Sequence, residues 1–235
     1  MAKGFFITGT DTGVGKTIIS GAVIKLIISF GLKACGMKPI ESGCICSEGT
    51  LFPPDGMFLK KIACMEEPLT VVTPLCFKNP LAPMSASEIE KTEFSLSDIK
   101  KAFQKLSRRY EAVVVEGVGG LLVPIQSSYY VIDLVQELSL PLIVVARPGL
   151  GTINHTMLTV KYALKEGLKV AGIIINYSRP PEKSLAEKTN PGLLSRISPV
   201  PVIGIFPHLK NTGKNIIEKS ALKTLNKEVI KEYLF

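Results

Sequence analysis

Three glycines, a lysine and a threonine recur at close spacing in Gly9-Thr10-Asp11-Thr12-Gly13-Val14-Gly15-Lys16-Thr17, between the apolar stretch Phe5-Phe6-Ile7 and the helical pattern Ile18 to Phe30. Glycines in such a turn let backbone N–H groups converge on phosphate oxygens. A lysine at that place reaches the β- and γ-phosphates, and a threonine hydroxyl at the positive end of the helix can ligate Mg²⁺. A strand, a glycine-rich turn and a helix in this order predict a site for a nucleoside triphosphate. The usual signature has four residues between its first glycine and the Gly-Lys-Thr. Here Gly9 and Gly15 enclose five, a longer variant of the loop.

Other chemistry-bearing residues stand at the ends of apolar runs. Ala34 to Met37 ends in Lys38-Pro39-Ile40-Glu41-Ser42-Gly43, which delivers a cation and a hydroxyl. Ala112 to Val115 ends in Glu116, followed by Gly117-Val118-Gly119-Gly120. A carboxylate at the end of a buried strand is costly without a partner, and beside a phosphate loop the natural partner is a metal ion. Glu116 is therefore the first Mg²⁺ candidate after Thr17. Asp55, after the Pro53-Pro54 corner, reads either as a second carboxylate for Mg²⁺ or as the N-cap of the following helix, and by itself the pattern favours the cap. Gly149-Leu150-Gly151-Thr152-Ile153-Asn154-His155 leads into a helix whose free N–H groups can hold an anion, a substrate carboxylate included. Within it, His155 reads as a local hydrogen-bonding residue. Asn176, closing Ile173-Ile174-Ile175, reads as a base-edge contact or as a turn residue.

These residues need a frame. Nearly unbroken apolar runs at Phe5 to Ile7, Ala34 to Met37, Val71 to Thr73, Ala112 to Val115, Leu142 to Ala146, Val170 to Ile175 and Val202 to Ile205 read as strands covered on both faces. Helical patterns at Thr17 to Phe30, Asp55 to Ala63, Leu96 to Ser107, Val131 to Leu138, Ile153 to Glu166 and Ile216 to Leu234 alternate with them. Alternation predicts an α/β fold, a mostly parallel sheet with helices on both faces and ligands at the carboxyl ends of the strands. Ser42 to Pro54, Asn79 to Pro83 and Ser178 to Pro191 read as long loops.

At 235 residues with 46% hydrophobic and 20% charged, the chain predicts a single domain over residues 1–235. Its longest apolar stretch, Ile18 to Phe30, is interrupted by Lys25, and no signal peptide is evident, so the expected compartment is the cytoplasm. Cys35, Cys44, Cys46, Cys64 and Cys76 lack zinc-site spacing and read as reduced thiols. The formal net charge of +8 comes from scattered Lys and Arg without a basic tract, which favours anionic small molecules over nucleic acid. The C-terminal apolar pattern with interspersed lysines reads as a core-covering helix, not a membrane-surface one.

The full set of motifs resembles the dethiobiotin synthetase family. It comprises Thr8-Gly9-Thr10-Asp11-Thr12 through Gly15-Lys16-Thr17, Lys38-Pro39 with Ser42-Gly43, Val115-Glu116-Gly117-Val118-Gly119-Gly120, and Gly149-Leu150-Gly151-Thr152-Ile153-Asn154-His155. The resemblance implies a single-domain P-loop NTPase fold and a homodimeric ATP-dependent cyclo-ligase. Its substrates would be 7,8-diaminononanoate, CO₂ or bicarbonate, and MgATP, and its products dethiobiotin, ADP and phosphate. It implies Lys16 and Lys38 as catalytic residues, and Gly13, Val14, Gly15, Lys16, Thr17 and Ile18 around the phosphates. Thr17, Asp55 and Glu116 would hold Mg²⁺, with Glu116, Gly117, Val118 and Gly119 beside the nucleotide. Asn176, Tyr177, Pro207, His208 and Leu209 would surround the adenine. Ser42 would contact the substrate, as would Gly151, Thr152, Ile153 and Asn154 from the partner subunit.

The chain departs from the family at Gly13, where many members carry Glu, at Met84, the usual place of His, and after Leu209, where some members have an acidic residue near the ribose. Two other P-loop classes compete. Partitioning or septum-positioning ATPases usually carry a lysine where this loop has Asp11. Amidation enzymes of corrinoid synthesis bring a glutaminase domain for which 235 residues leave no room.

Overall fold

The structure, a computed structural model, describes residues 3–235. From the N-terminal side the elements are β1 (Lys3–Gly9), α1 (Lys16–Ser29), β2 (Ala34–Met37), β3 (Ile40–Ser42), β4 (Ile45–Ser47), β5 (Thr50–Phe52), α2 (Pro54–Ala63), α3 (Leu69–Val72), β6 (Leu75–Phe77) and α4 (Pro83–Glu90). They continue as α5 (Leu96–Arg109), β7 (Ala112–Glu116), β8 (Pro124–Gln126), β9 (Tyr129–Tyr130), α6 (Val131–Leu138), β10 (Leu142–Ala146), α7 (Thr152–Lys165), β11 (Val170–Asn176), α8 (Leu185–Ile197), β12 (Val202–Phe206), α9 (Lys214–Thr224) and α10 (Lys227–Glu232).

Six strands form the central sheet in the order β12-β11-β10-β1-β7-β2, with every pairing parallel. Successive side chains point to opposite faces, so each strand feeds two cores. Phe5 and Ile7 face one core with Val114, Val145 and Ile174, against α1, α2, α9 and α10. Phe6 faces the other with Val113, Val115, Val144 and Ile175, against α3 to α8. The chain winds from β1 out to the β2 edge, returns to β7, and then crosses β1 to reach β10, β11 and β12. That reversal opens a crevice at the carboxyl ends of β1 and β7, where α/β sheets take ligands. No helix among the described residues is long and apolar enough to cross a membrane.

Three segments differ from the sequence reading. Val71 to Thr73, expected as a strand, is the end of helix α3 and its cap, with the Val71 N–H donating to Pro68 O at 2.9 Å. Pro68 has a φ suited to opening a helical turn, and Pro74 forces Thr73 out of the helical region, so three β-branched residues make one turn. The expected C-terminal helix is two. Leu225 is extended and bridges Gly204 in antiparallel fashion, and Asn226 Oδ1 then caps α10 by accepting from the N–H groups of Glu228 and Val229. The expected loops also carry structure: β4 and β5 pair as a hairpin, α4 opens at Pro83, and α8 opens at Leu185 with Pro191 inside it. Pro191 cannot donate to Glu187 O one turn back, and the Tyr177 hydroxyl donates to that carbonyl at 3.3 Å.

Candidate active site

Gly15 precedes α1 in the left-handed region at φ +88°, where a side chain is strained, and a Cβ there would lie 2.1 Å from Asn176 Nδ2. Asn176 is buried at the end of β11 and donates from Nδ2 to Val14 O at 2.8 Å. It therefore braces the phosphate loop from two strands away. Lys16 folds over the loop and donates to Asp11 O at 3.3 Å. Its burial, followed by the neighbouring Lys38 ammonium, lowers its pKa to about 8 against the pull of Glu116, Asp55 and Asp11.

Thr17 Oγ1, in the first turn of α1, lies 2.9 Å from Asp55 Oδ1 and 3.0 Å from Glu116 Oε1. A hydroxyl has one hydrogen, so it can donate to only one of these two carboxylates. Glu116, 1% exposed, has its other oxygen, Oε2, buried without a hydrogen-bond partner. Lys38, 4% exposed, sits 2.7 Å from Glu116 Oε1 and 3.1 Å from Asp55 Oδ2. Burial works to strip the Lys38 proton, but Glu116 and Asp55 outweigh it and hold the ammonium above the ordinary lysine range. Burial pushes Glu116 up, opposed by Lys38 and reinforced by Asp55. Asp55 is no N-cap: Pro53 occupies that position and the Asp55 side chain turns to Thr17 and Lys38 instead.

The expected metal and catalytic residues, with Gly13, Gly15 and Ser42, meet in one cleft of about 670 Å³. Gly13, Gly15, Lys16 and Thr17 line it from the loop, Lys38 and Ser42 from the β2 side, and Asp55, Glu116, Val118 and Gly119 from across it. Gly117 is buried behind it, its N–H donating to Ile7 O at 3.0 Å and its α-carbon against the Phe6 ring. Val14 and Ile18 pack into the apolar core.

A smaller cleft of about 210 Å³ flanks the loop on its other side, lined by Gly13, Val14, Arg147, Tyr177 and Arg179. The Tyr177 N–H donates to Phe206 O at 2.9 Å, which sets Pro207 beside Tyr177, but Pro207, His208 and Leu209 do not line that cleft. Gly151, Thr152, Ile153 and Asn154 lie in neither cleft; Gly151 and Asn154 are exposed at the start of α7.

Sequence reasoning missed Glu41. It lines the main cleft, is 4% exposed, and accepts from the backbone N–H groups of Asp55 at 2.8 Å and Gly56 at 2.9 Å. Burial raises it to about 7 against the two N–H donors. Its neighbours Lys38 and Ser42 marked the segment, but nothing in the spacing indicates a tie to residues in another element. The Cys44 thiol donates to Glu41 O at 3.4 Å and the Cys76 thiol to Thr73 O at 3.7 Å, while Cys46 is exposed on β4; all five cysteines are free.

A family model described as an AAA domain matches residues 3–215. The ATP-dependent dethiobiotin synthetase BioD of Thermodesulfovibrio yellowstonii is 44% identical over 237 residues, covering 98% of this chain and 99% of that protein. The chain belongs to the dethiobiotin synthetase family. A second member, the ATP-dependent dethiobiotin synthetase of Bacillus licheniformis, is 44% identical over 215 residues, with 90% and 88% covered.

Among solved structures, a plasmid partition protein of Borrelia burgdorferi bound to AMPPNP superposes with a TM-score of 0.56 at 13% identity, covering 99% of this chain and 97% of that one. The septum site-determining protein MinD of Pyrococcus horikoshii with Mg-ADP gives 0.55 at 12%, covering 95% and 96%. At such identities the likeness is one of fold, and the P-loop architecture expected from the sequence is the one observed.

Proposed function

We propose that this chain is an ATP-dependent dethiobiotin synthetase that converts 7,8-diaminononanoate, CO₂ and ATP into dethiobiotin, ADP and phosphate. The carrying observation is the meeting of Lys16, Thr17, Lys38, Asp55 and Glu116 in a cleft that also holds Ser42. One substrate amine adds to CO₂ and loses a proton to give a carbamate. A carbamate oxygen attacks the γ-phosphorus and ADP departs, giving a carbamic-phosphoric anhydride. The second amine then attacks the carbonyl carbon, phosphate leaves, and the cyclic urea closes.

Phosphoryl transfer of this kind needs placement and positive charge more than covalent chemistry by the protein. Lys16 reaches toward the triphosphate from the loop. Lys38 supplies a fixed ammonium, because the carboxylates around it keep its proton in place; it acts as charge and not as a proton acceptor. Three hard oxygen donors, one hydroxyl hydrogen between two carboxylates, and the orphaned Glu116 Oε2 suit a small divalent cation. Thr17, Asp55 and Glu116 would hold Mg²⁺, which supplies further positive charge to the phosphate oxygens.

In this reading the adenine lies past Asn176 toward Tyr177 and the 207–209 segment, and the substrate reaches Ser42. The start of α7, where Gly151 and Asn154 are exposed while Thr152 is buried and Ile153 packs against the core, serves the cleft of a second copy in a homodimer. Leu150 and Leu158, 87% and 62% exposed, flank that segment and support a partner surface there. Five free cysteines support a cytoplasmic setting.

The test is mass spectrometry after mixing the protein with 7,8-diaminononanoate, ¹³C-bicarbonate, Mg²⁺ and ATP. Labelled dethiobiotin that disappears when any component is left out is expected. Lys16→Ala and Lys38→Ala are expected to abolish it in folded protein, and unchanged rates in both would sink the assignment of the site.

A further inference from the structure

We infer that Glu41 is a positioning residue: its carboxylate, presented by β3, caps the first turn of α2 and so fixes Asp55 against Thr17, Lys38 and Glu116. The opening N–H groups of any helix lack partners within the helix and need an acceptor from outside it. At α2 the N-cap is Pro53, whose side chain has no acceptor. Asp55, the residue type that ordinarily caps, is turned into the cleft instead. The role falls to Glu41, whose Oε1 and Oε2 accept from the N–H groups of Asp55 and Gly56 respectively. A negative group at the positive end of a helix is also favoured electrostatically.

The opposite side of that turn is closed as well. A Cβ at Gly56 would lie 2.0 Å from Thr73 Oγ1, so the first turn of α2 is held between Glu41 and Thr73 with no slack. Asp55 therefore takes its place from β3, the strand whose end also carries Ser42, just past Lys38. One short segment sets the cation, the substrate hydroxyl and a carboxylate of the proposed metal site. Both Glu41 oxygens are engaged with backbone donors, so its part is to position and not to react.

The inference rests on the proposed Mg²⁺ role of Asp55, and the experiment separates the two. Glu41→Ala, Glu41→Gln and Asp55→Asn are compared with the unaltered protein by three readouts. These are amide hydrogen exchange at positions 55 and 56 in metal-free protein, the Mg²⁺ concentration giving half-maximal ATP binding, and KM for 7,8-diaminononanoate. In Glu41→Ala we expect exchange at both amides to quicken by about tenfold or more. Half-saturating Mg²⁺ should rise by about tenfold, the scale of losing a support behind a metal ligand, while KM for the diamine stays within about twofold. Glu41→Gln keeps one acceptor oxygen in the same volume and should fall between on both readouts, and it carries the test should Glu41→Ala fail to fold. Unchanged amide protection in a folded variant overturns the cap. Faster exchange with unchanged Mg²⁺ dependence, while Asp55→Asn raises it, overturns the positioning role alone. Asp55→Asn with no effect on Mg²⁺ dependence sinks the metal role of Asp55 and the positioning role with it.

Discussion

Burial and a second ammonium lower the pKa of Lys16 to about 8, so its charge depends on pH where most lysines are fully protonated. Phosphate oxygens favour the ammonium, so ATP binding should draw a proton onto Lys16 as pH approaches about 8, and affinity should fall as pH rises through that value. Isothermal titration in buffers of different ionisation enthalpy would read this as proton uptake that vanishes well below that pH. The unliganded protein should respond with the opposite slope. Its unfolded chain holds the Lys16 proton up to 10.5 while the folded one releases it near 8, so this group alone makes stability rise with pH between those values. Asn176 makes a second residue-scale case. Asn176→Ala leaves the buried Val14 carbonyl without its donor, a loss of about 1–3 kcal/mol. If the bond acts by bracing the loop, binding titrations should show the same weakening for ATP and for inorganic triphosphate; a loss confined to ATP would mean that Asn176 works on the base.

At the scale of elements, the site depends on how closely α2 approaches β2. Gly36 in β2 leaves room for that approach: a Cβ there would lie 2.8 Å from Leu59 Cβ on α2 and 2.9 Å from Ile24 Cδ1 on α1. Gly36→Ala should cost about 1–3 kcal/mol by overpacking and lower the midpoint of thermal unfolding. It should also weaken Mg²⁺-dependent ATP binding, because α2 carries Asp55. Unchanged stability would mean that the helices yield without cost. The strands of the central sheet were legible because all but the edge strand β12, which exposes Ile205, are buried on both faces, and each reads as a nearly unbroken apolar run. Val71 to Thr73 misled because three β-branched residues suit a strand as well as one helical turn, and the flanking prolines decided between them. α8 was hidden because a proline inside a helix reads as a break, and only Tyr177, from another element, offsets its missing donor.

For the whole molecule, the outer stripe of α7 offers a direct test of the proposed homodimer. Asn154 and Leu158 follow one another at helical spacing and are exposed, with Leu150 exposed in the turn before the helix. Leu158→Asp should shift the protein from dimer to monomer in analytical ultracentrifugation while its far-ultraviolet circular dichroism stays that of a folded chain, because the side chain is outside both cores. A dimer that survives this change would move the interface elsewhere. By itself the sequence determined the phosphate loop, the α/β alternation, and Lys38, Ser42 and Glu116 as strand-end groups. Those features are local: a turn needs glycines at fixed offsets, and a buried parallel strand needs an apolar run. It also supplied the motif order that marks the family. What tertiary structure decided were the relations across elements. Asp55 turns away from its own helix end because Thr17 and Lys38 lie across the cleft, and it can do so because Glu41, fourteen residues away in sequence, caps that end from another strand. Hydrogen-bond partners brought together by packing leave no periodicity in the chain, so a side chain that could cap and a side chain that is capped from elsewhere look alike until the fold sets them face to face.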